Sequence, residues 1–298
     1  MPNAKLNNYL HLHLLVFIAG FTAILGELIT IEAIPLVWYR MLMAMVIMYG
    51  YMRIKRIQTK IPAKTIAGLS LAGIIIALHW ITFFGAIKVS NISITLAMFS
   101  SGAFFASLIE PLIYKRPIIW YEIGFGILVI FGVFLITRSG LHYLEGIVLG
   151  IISAFLSALF AVLNGRFVKQ YRPSVISLYE FISGVFFITL YIAVFGKGFN
   201  ADFFSVTASD LWYLFLLASV CTAYAFIGSV KVMQYISPYT VVLTYNLEPV
   251  YGIVLALILF PETEKMSSSF YLGAAIILAA VLLNGVLKNW KALKSKAS

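Results

Sequence analysis

Residues Gly146–Phe167 read GIVLGIISAFLSALFAVLNGRF. Twenty residues pass before the first charged side chain, Arg166. At about 1.5 Å of rise per residue, a helix of that length crosses the ~30 Å hydrocarbon core of a bilayer. A lipid-facing strand would alternate apolar and polar residues over about ten positions. This run stays apolar, so it reads as a membrane-spanning helix. Outward from it in both directions the pattern recurs, at Leu10–Ile29, Pro35–Met52, Thr65–Ile87, Ile92–Tyr114, Trp120–Thr137, Val175–Phe195, Leu211–Met233, Tyr239–Phe260 and Phe270–Leu287. The chain is therefore expected to be an all-α polytopic membrane protein with ten transmembrane helices. The links are short, the longest being residues 196–210, and none has room for a soluble domain.

Composition agrees with this reading. Of 298 residues, 62% are hydrophobic and only 11% charged, and the mean hydropathy is +1.00. A soluble fold needs a charged, mixed exterior that this chain could not supply. The net charge of +10 does not point to nucleic acid, because the cations fall in short bursts between apolar runs rather than on one soluble face. The single cysteine, Cys221, excludes an intramolecular disulfide and a cysteine metal cluster. Met1–Asn8 is polar with one lysine, and no small-x-small cleavage site follows it.

The cations also set an orientation. With the N-terminus cytoplasmic, the inside segments hold 16 Lys and Arg and the outside segments 4, with Arg40 left inside the second span. That asymmetry predicts two cytoplasmic termini. A bacterial inner membrane is the expected location. The chain also reads as duplicated. Ala86–Leu108, AIKVSNISITLAMFSSGAFFASL, compares with Val232–Leu255, VMQYISPYTVVLTYNLEPVYGIVL. Each has a helix end, a polar break and a long apolar run. Equivalent loops carry opposite charge: Arg53 to Lys64 hold five cations, whereas the matching loop after the seventh span has Lys197 against Asp202 and Asp210. Five helices per repeat force the second copy into the bilayer upside down, a common transporter plan. The expected division is residues 1–140 and 141–298, the second repeat ending in a basic cytoplasmic tail.

Three local pieces carry a family likeness. Thr244-Tyr-Asn-Leu-Glu248-Pro249-Val-Tyr-Gly is followed by Leu259-Phe-Pro-Glu262; His79-Trp80-Ile-Thr-Phe-Phe-Gly-Ala86 lies in the third span; and Trp38-Tyr39-Arg40 lies in the second. In these positions, and over nearly its whole length, the chain resembles the ten-helix, two-EamA-domain members of the drug/metabolite transporter superfamily. The first repeat departs from the pattern, with Lys115 or Arg116 where an acid usually closes the fourth helix. The resemblance implies export or exchange of small metabolites, amino acids among them, by alternating access. It also implies a central cavity lined mainly by helices one, three, four, six, eight and nine.

Ionisable residues at membrane depth need a partner or a wet cavity. The candidate substrate-binding residues are His79 and Trp80 in the third span, Asn164 in the sixth, Tyr224 in the eighth, and Tyr245 and Asn246 in the ninth. Thr22 and Ser100 are further candidates for the cavity lining. Tyr245 and Glu248, three apart, share a helix face, whereas Tyr245 and Asn246 do not. Structural or gating roles are expected for Arg40, Glu180, Glu248 and Pro249. Arg40 is expected to snorkel or to pair with an acid such as Glu27 or Glu32, and Glu180 to pair with Arg172 or Arg166. Pro249 is expected to break its helix and free a carbonyl near Tyr245.

No phosphate-binding loop, dinucleotide fingerprint or His-Glu-x-x-His is present. The chain is therefore read as no enzyme, with no cofactor, no metal and no catalytic residue. The expected function is secondary transport of a small-molecule substrate, protons being a candidate coupling partner, by a monomer embedded in lipid. An obligate antiporter of sugar phosphates or nucleotide sugars, and an exporter of drug-like amphipathic compounds, are the alternatives.

Overall fold

The computed structural model describes residues 2–115, 117, 119–139, 141–233, 235, 244, 245 and 247–297. The regular structure among them is helical: α1 (Pro2–Leu28), α2 (Ala33–Ile54), α3 (Ala63–Val89), α4 (Ile92–Phe99), α5 (Gly102–Tyr114), α6 (Trp120–Ser139), α7 (Leu144–Phe167), α8 (Pro173–Val194), α9 (Ala201–Phe204), α10 (Ala208–Ala218), α11 (Ala225–Met233), α12 (Glu248–Leu259), α13 (Pro261–Glu264) and α14 (Ser268–Ala297). A π-helical turn, Ser219–Tyr224, joins α10 to α11.

Nine helical segments among the described residues are long and apolar enough to cross a membrane. They coincide with nine of the ten predicted spans. The remaining one, Tyr239–Phe260, is described from 244 onward except for 246, and its regular part is the shorter helix α12. Two of the nine spans are interrupted. Between α4 and α5, Ser101 Oγ donates to the Met98 carbonyl at 2.6 Å and Ser100 Oγ to that of Leu96 at 2.9 Å. Hydroxyls that compete for helix carbonyls weaken the ladder, and Gly102 follows directly. The π-turn between α10 and α11 is the second interruption.

The helices pack in two groups. α3 packs against both α7 and α8, α2 against α8, and α1 against α12. To one side, α6 pairs with α14. Glycine permits the closest of these crossings. A Cβ at Gly132 would lie 2.8 Å from the Gly273 carbonyl oxygen, and one at Gly273 would lie 2.6 Å from that of Gly132. A Cβ at Gly73 on α3 would collide with the backbone of Glu180 on α8. Small residues that bring backbones together are the usual basis of helix association in lipid.

One end of the bundle is sealed by polar contacts; the N-terminus of α1 lies toward the other end, the N-face. At the sealed end, Asp210 accepts from the Thr30 amide (2.7 Å) and hydroxyl (2.8 Å), and from Thr207 Oγ1 (2.7 Å). Glu264 accepts from the backbone N–H of Ile92 (2.9 Å) and of Ser93 (2.8 Å), and Asn91 Oδ1 accepts from Ile94 N–H (2.9 Å). The first-turn N–H groups of α4 have no helical acceptors, so these side chains satisfy them. Lys88 Nζ donates to the Ile29 carbonyl. Asp210 and Glu264 are both buried.

Candidate functional site

A cavity of about 430 Å³ lies inside the bundle, within the roughly 300–1,000 Å³ range of small-molecule sites. Its walls come from α1, α3, α4, α5, α7, the π-turn and α11, and the Tyr245–Pro249 stretch, with Arg40 entering from α2 and Val281 from α14. It extends from Arg40 and His79 past Ala106, Ala161 and Ser229 in the N-face halves of their helices. Aromatic rings dominate the walls: Trp80, Phe83, Phe99, Phe160 and Phe226.

Arg40 is 2% exposed and is the cation of this cavity. Its Nε donates to Thr222 Oγ1 at 2.8 Å, and its guanidinium carbon sits 3.9 Å from the centroid of the Trp80 ring. Thr222 in turn donates to the Leu217 carbonyl five residues back, within the π-turn. The widened turn thus sets the hydroxyl that holds the arginine. Stacking on Trp80 supplies cation–π attraction in a dry setting. Nη1 has no hydrogen-bond partner. The expected pairing with Glu27 or Glu32 is not formed: α2 turns Arg40 inward against α3 and the π-turn instead.

His79 Nδ1 lies 3.0 Å from the Ser153 carbonyl and 2.9 Å from Ser153 Oγ. A carbonyl can only accept, so a proton sits on Nδ1, and the His79 side chain lines the cavity. The ring stacks on Phe99 with centroids 5.5 Å apart. Across the cavity, the Tyr245 hydroxyl meets Ser229 Oγ at 2.5 Å. Glu248 and Pro249 also line the wall, and Glu248 and Arg40 act on each other electrostatically.

The structure thus gathers His79, Trp80, Tyr245, Arg40, Glu248 and Pro249 around one space, together with Thr22 and Ser100. Asn246 lies outside the described residues. Two expected cavity residues are placed elsewhere. Tyr224 is 42% exposed and its hydroxyl bonds His11 Nε2 at 2.8 Å; the π-turn shifts the register so that Cys221 and Ala225 face inward and Tyr224 does not. Asn164 lies behind the α7 wall beside Glu180. Glu180 itself has no arginine partner: neither carboxylate oxygen has a hydrogen bond, while Arg166 reaches the Ile113 carbonyl. Thr244 and Tyr245 are helical, Leu247 is a turn, and Pro249 lies in the first turn of α12. A proline in the first turn lacks only an N–H that would have been unsatisfied anyway.

Ser153, Thr222 and Ser229 position site residues without having been predicted. Nothing in their local pattern distinguishes them from other small residues in apolar helices. Among the described residues, no group of three or more His, Cys, Asp or Glu could hold a metal ion.

The model of the EamA-like transporter family matches residues 8–138 and again 144–286. A crystal structure described only as that of a protein matches with a TM-score of 0.64 at 12% identity, over 94% of this chain and 99% of the other. That likeness is one of fold. A search among curated proteins gives no match. With the two family matches spanning nearly all of the helical bundle and its cavity, the chain belongs to the EamA-like transporter family and is a secondary transporter.

Proposed function

We propose that this transporter carries small zwitterionic metabolites, amino acids being the type case, across the cytoplasmic membrane in the direction of export. The observation that carries the reading is the coexistence of Arg40 and Glu248 in one largely apolar, aromatic-walled cavity. A guanidinium with an unpartnered Nη1 complements a carboxylate. A carboxylate elsewhere in the same cavity complements an ammonium group. The His79 ring and the Tyr245 hydroxyl add polar contacts. The aromatic walls take an apolar side chain, and also favour the second reading, an amphipathic drug-like cargo. Sugar phosphates and nucleotide sugars fit less well, because Arg40 is the one Lys or Arg among the described residues that line the cavity.

The proposed architecture is ten helices in two inverted repeats, residues 1–140 and 141–298, with both termini cytoplasmic. The 16-to-4 split of cations and the two consecutive family matches support it. Transport then rocks one repeat against the other around the cavity. The ties at the sealed end, Asp210 to Thr30 and Glu264 to Ile92 and Ser93, join the two repeats.

Ligand-dependent thermal stability tests the substrate class. At about 100 times its Kd, a bound ligand adds about 2.7 kcal/mol of stability, which raises Tm by roughly 5 °C for a chain of this size. Neutral amino acids are expected to give such shifts in detergent. The matching amines and carboxylic acids, each lacking one charge, are expected to give less than half. Equal shifts from the amine alone would favour the amphipathic-cation reading.

A further inference from the structure

Glu180 is a buried carboxyl with no ion-pair partner among the described residues. It is 1% exposed, and both of its oxygens lack hydrogen-bond partners. The one side chain that acts on it is Asn164 of α7, whose own Oδ1 is also buried and unpartnered. Charged and titratable groups are present on the helices around it: Tyr39, Arg40, Tyr49, Tyr51 and Arg53 on α2, Lys64, His79 and Lys88 on α3, Glu145 and Arg166 on α7. None of these hydrogen-bonds to a Glu180 oxygen. Lys231 on α11 has a side chain outside the described residues. Neither residue lines the cavity.

Three buried oxygen acceptors thus share one neighbouring donor group, the Asn164 amide N–H. An ionised carboxylate can accept from that amide, but Asn164 Oδ1 and one carboxylate oxygen are still short of hydrogen bonds in a medium that penalises this heavily. One proton resolves the shortage. The O–H of a protonated Glu180 donates to Asn164 Oδ1, and the Asn164 amide N–H donates back to the other Glu180 oxygen. A carboxylic acid and a primary amide form this reciprocal pair. Which way the amide faces is a rotation about one bond.

We propose that Glu180 and Asn164 form a single-proton binding site in the wall between α3, α7 and α8, separate from the substrate cavity, and that its loading and unloading couple transport to a proton gradient. The coupling role rests on the transport reading above; the proton site does not. One O–H bond forms and breaks, and the proton comes from and returns to water. The route to the cavity is mechanical. α3 touches the Glu180 backbone at Gly73 and carries His79 and Trp80 into the cavity wall. α7 carries Asn164, and also Ser153, which holds His79, and Ser157 in the wall. A change in the charge of Glu180 therefore loads the two helices that shape the site.

The test is infrared difference spectroscopy of the lipid-reconstituted full chain during pH steps, with no substrate present. Wild type is expected to show one protonated-carboxyl C=O band that Glu180→Gln removes, Gln being the neutral isostere that keeps the pair with Asn164. Asn164→Leu, which keeps the carboxyl, is expected to move the band toward the position of an acid without hydrogen bonds. Proton uptake read with a pH dye is expected to fall by one per chain in Glu180→Gln. Identical spectra and uptake in wild type and Glu180→Gln would overturn the proposal. So would loss of the wild-type band on adding sodium at constant pH, which would make the site one for a metal cation. Because no substrate enters the measurement, a wrong substrate class leaves its outcome untouched.

Discussion

Replacing Arg40 with Met is expected to weaken binding of a zwitterionic amino acid by roughly 10- to 150-fold, the equivalent of the 1.5–3 kcal/mol typical of a hydrogen bond to a charged group. The same change should leave the affinity of the matching amine, which has no carboxylate, nearly unaltered. The reasoning is geometric. Nε is committed to Thr222 and the guanidinium face to Trp80, and Nη1, itself buried, has no hydrogen-bond partner, so the guanidinium keeps donor capacity that the protein does not use. Such a side chain is held in place before the ligand arrives, so little rotamer entropy remains to be lost. Arg40→Lys should recover only part of the loss, since an ammonium cannot reproduce the planar fork or the stacked face. Equilibrium binding by scintillation proximity, with zwitterion and amine compared in both variants, measures the difference. Equal losses for the two ligands would mean that Arg40 holds the helices together and does not touch the substrate.

The second large effect is expected at the sealed end. Glu264 spans the two halves of the chain, accepting two backbone N–H groups at the start of α4 from a buried position. Glu264→Ala removes both acceptors and strands both donors. At about 3 kcal/mol for that loss, the balance between the state closed here and the state open here shifts by roughly 100-fold. Cys221 is a native reporter of this change: it is the chain's one cysteine and it lines the cavity. An impermeant maleimide applied from the sealed side should label it slowly in wild type and far faster in Glu264→Ala, with labelling from the N-face falling in step. Unchanged labelling from the sealed side would remove the Glu264 contact from the closing mechanism.

The architecture was legible in the sequence because lipid enforces it. A segment must stay apolar for about 20 residues to satisfy its backbone inside the bilayer. The expected span Ile92–Tyr114 is therefore the observed one, and Trp120–Thr137 lies within Trp120–Ser139. His79, Trp80, Arg40 and Glu248 stood out singly in the sequence for the complementary reason, that polar groups at this depth are costly and few, but their meeting around one space did not. Facing directions were not. No side chain marks the π-turn at Ser219–Tyr224, yet it rotates Tyr224 out and Cys221 in. Family spacing pointed to Glu262 as the acid beyond α12, but Glu262 is exposed and Glu264, two residues on, makes the contact. A two-residue offset of this kind is set by how α13 starts at Pro261, and that depends on tertiary packing.

The chain's transport of zwitterionic metabolites is tested most directly by flux in proteoliposomes. Vesicles preloaded with an unlabelled neutral amino acid would be given the same compound radiolabelled outside, alongside its amine and carboxylic acid analogues. Saturable uptake of the zwitterion, competed poorly by either analogue and abolished in Arg40→Met, is the expected result. No saturable uptake of any neutral amino acid, or equal uptake of the amine, would contradict the account.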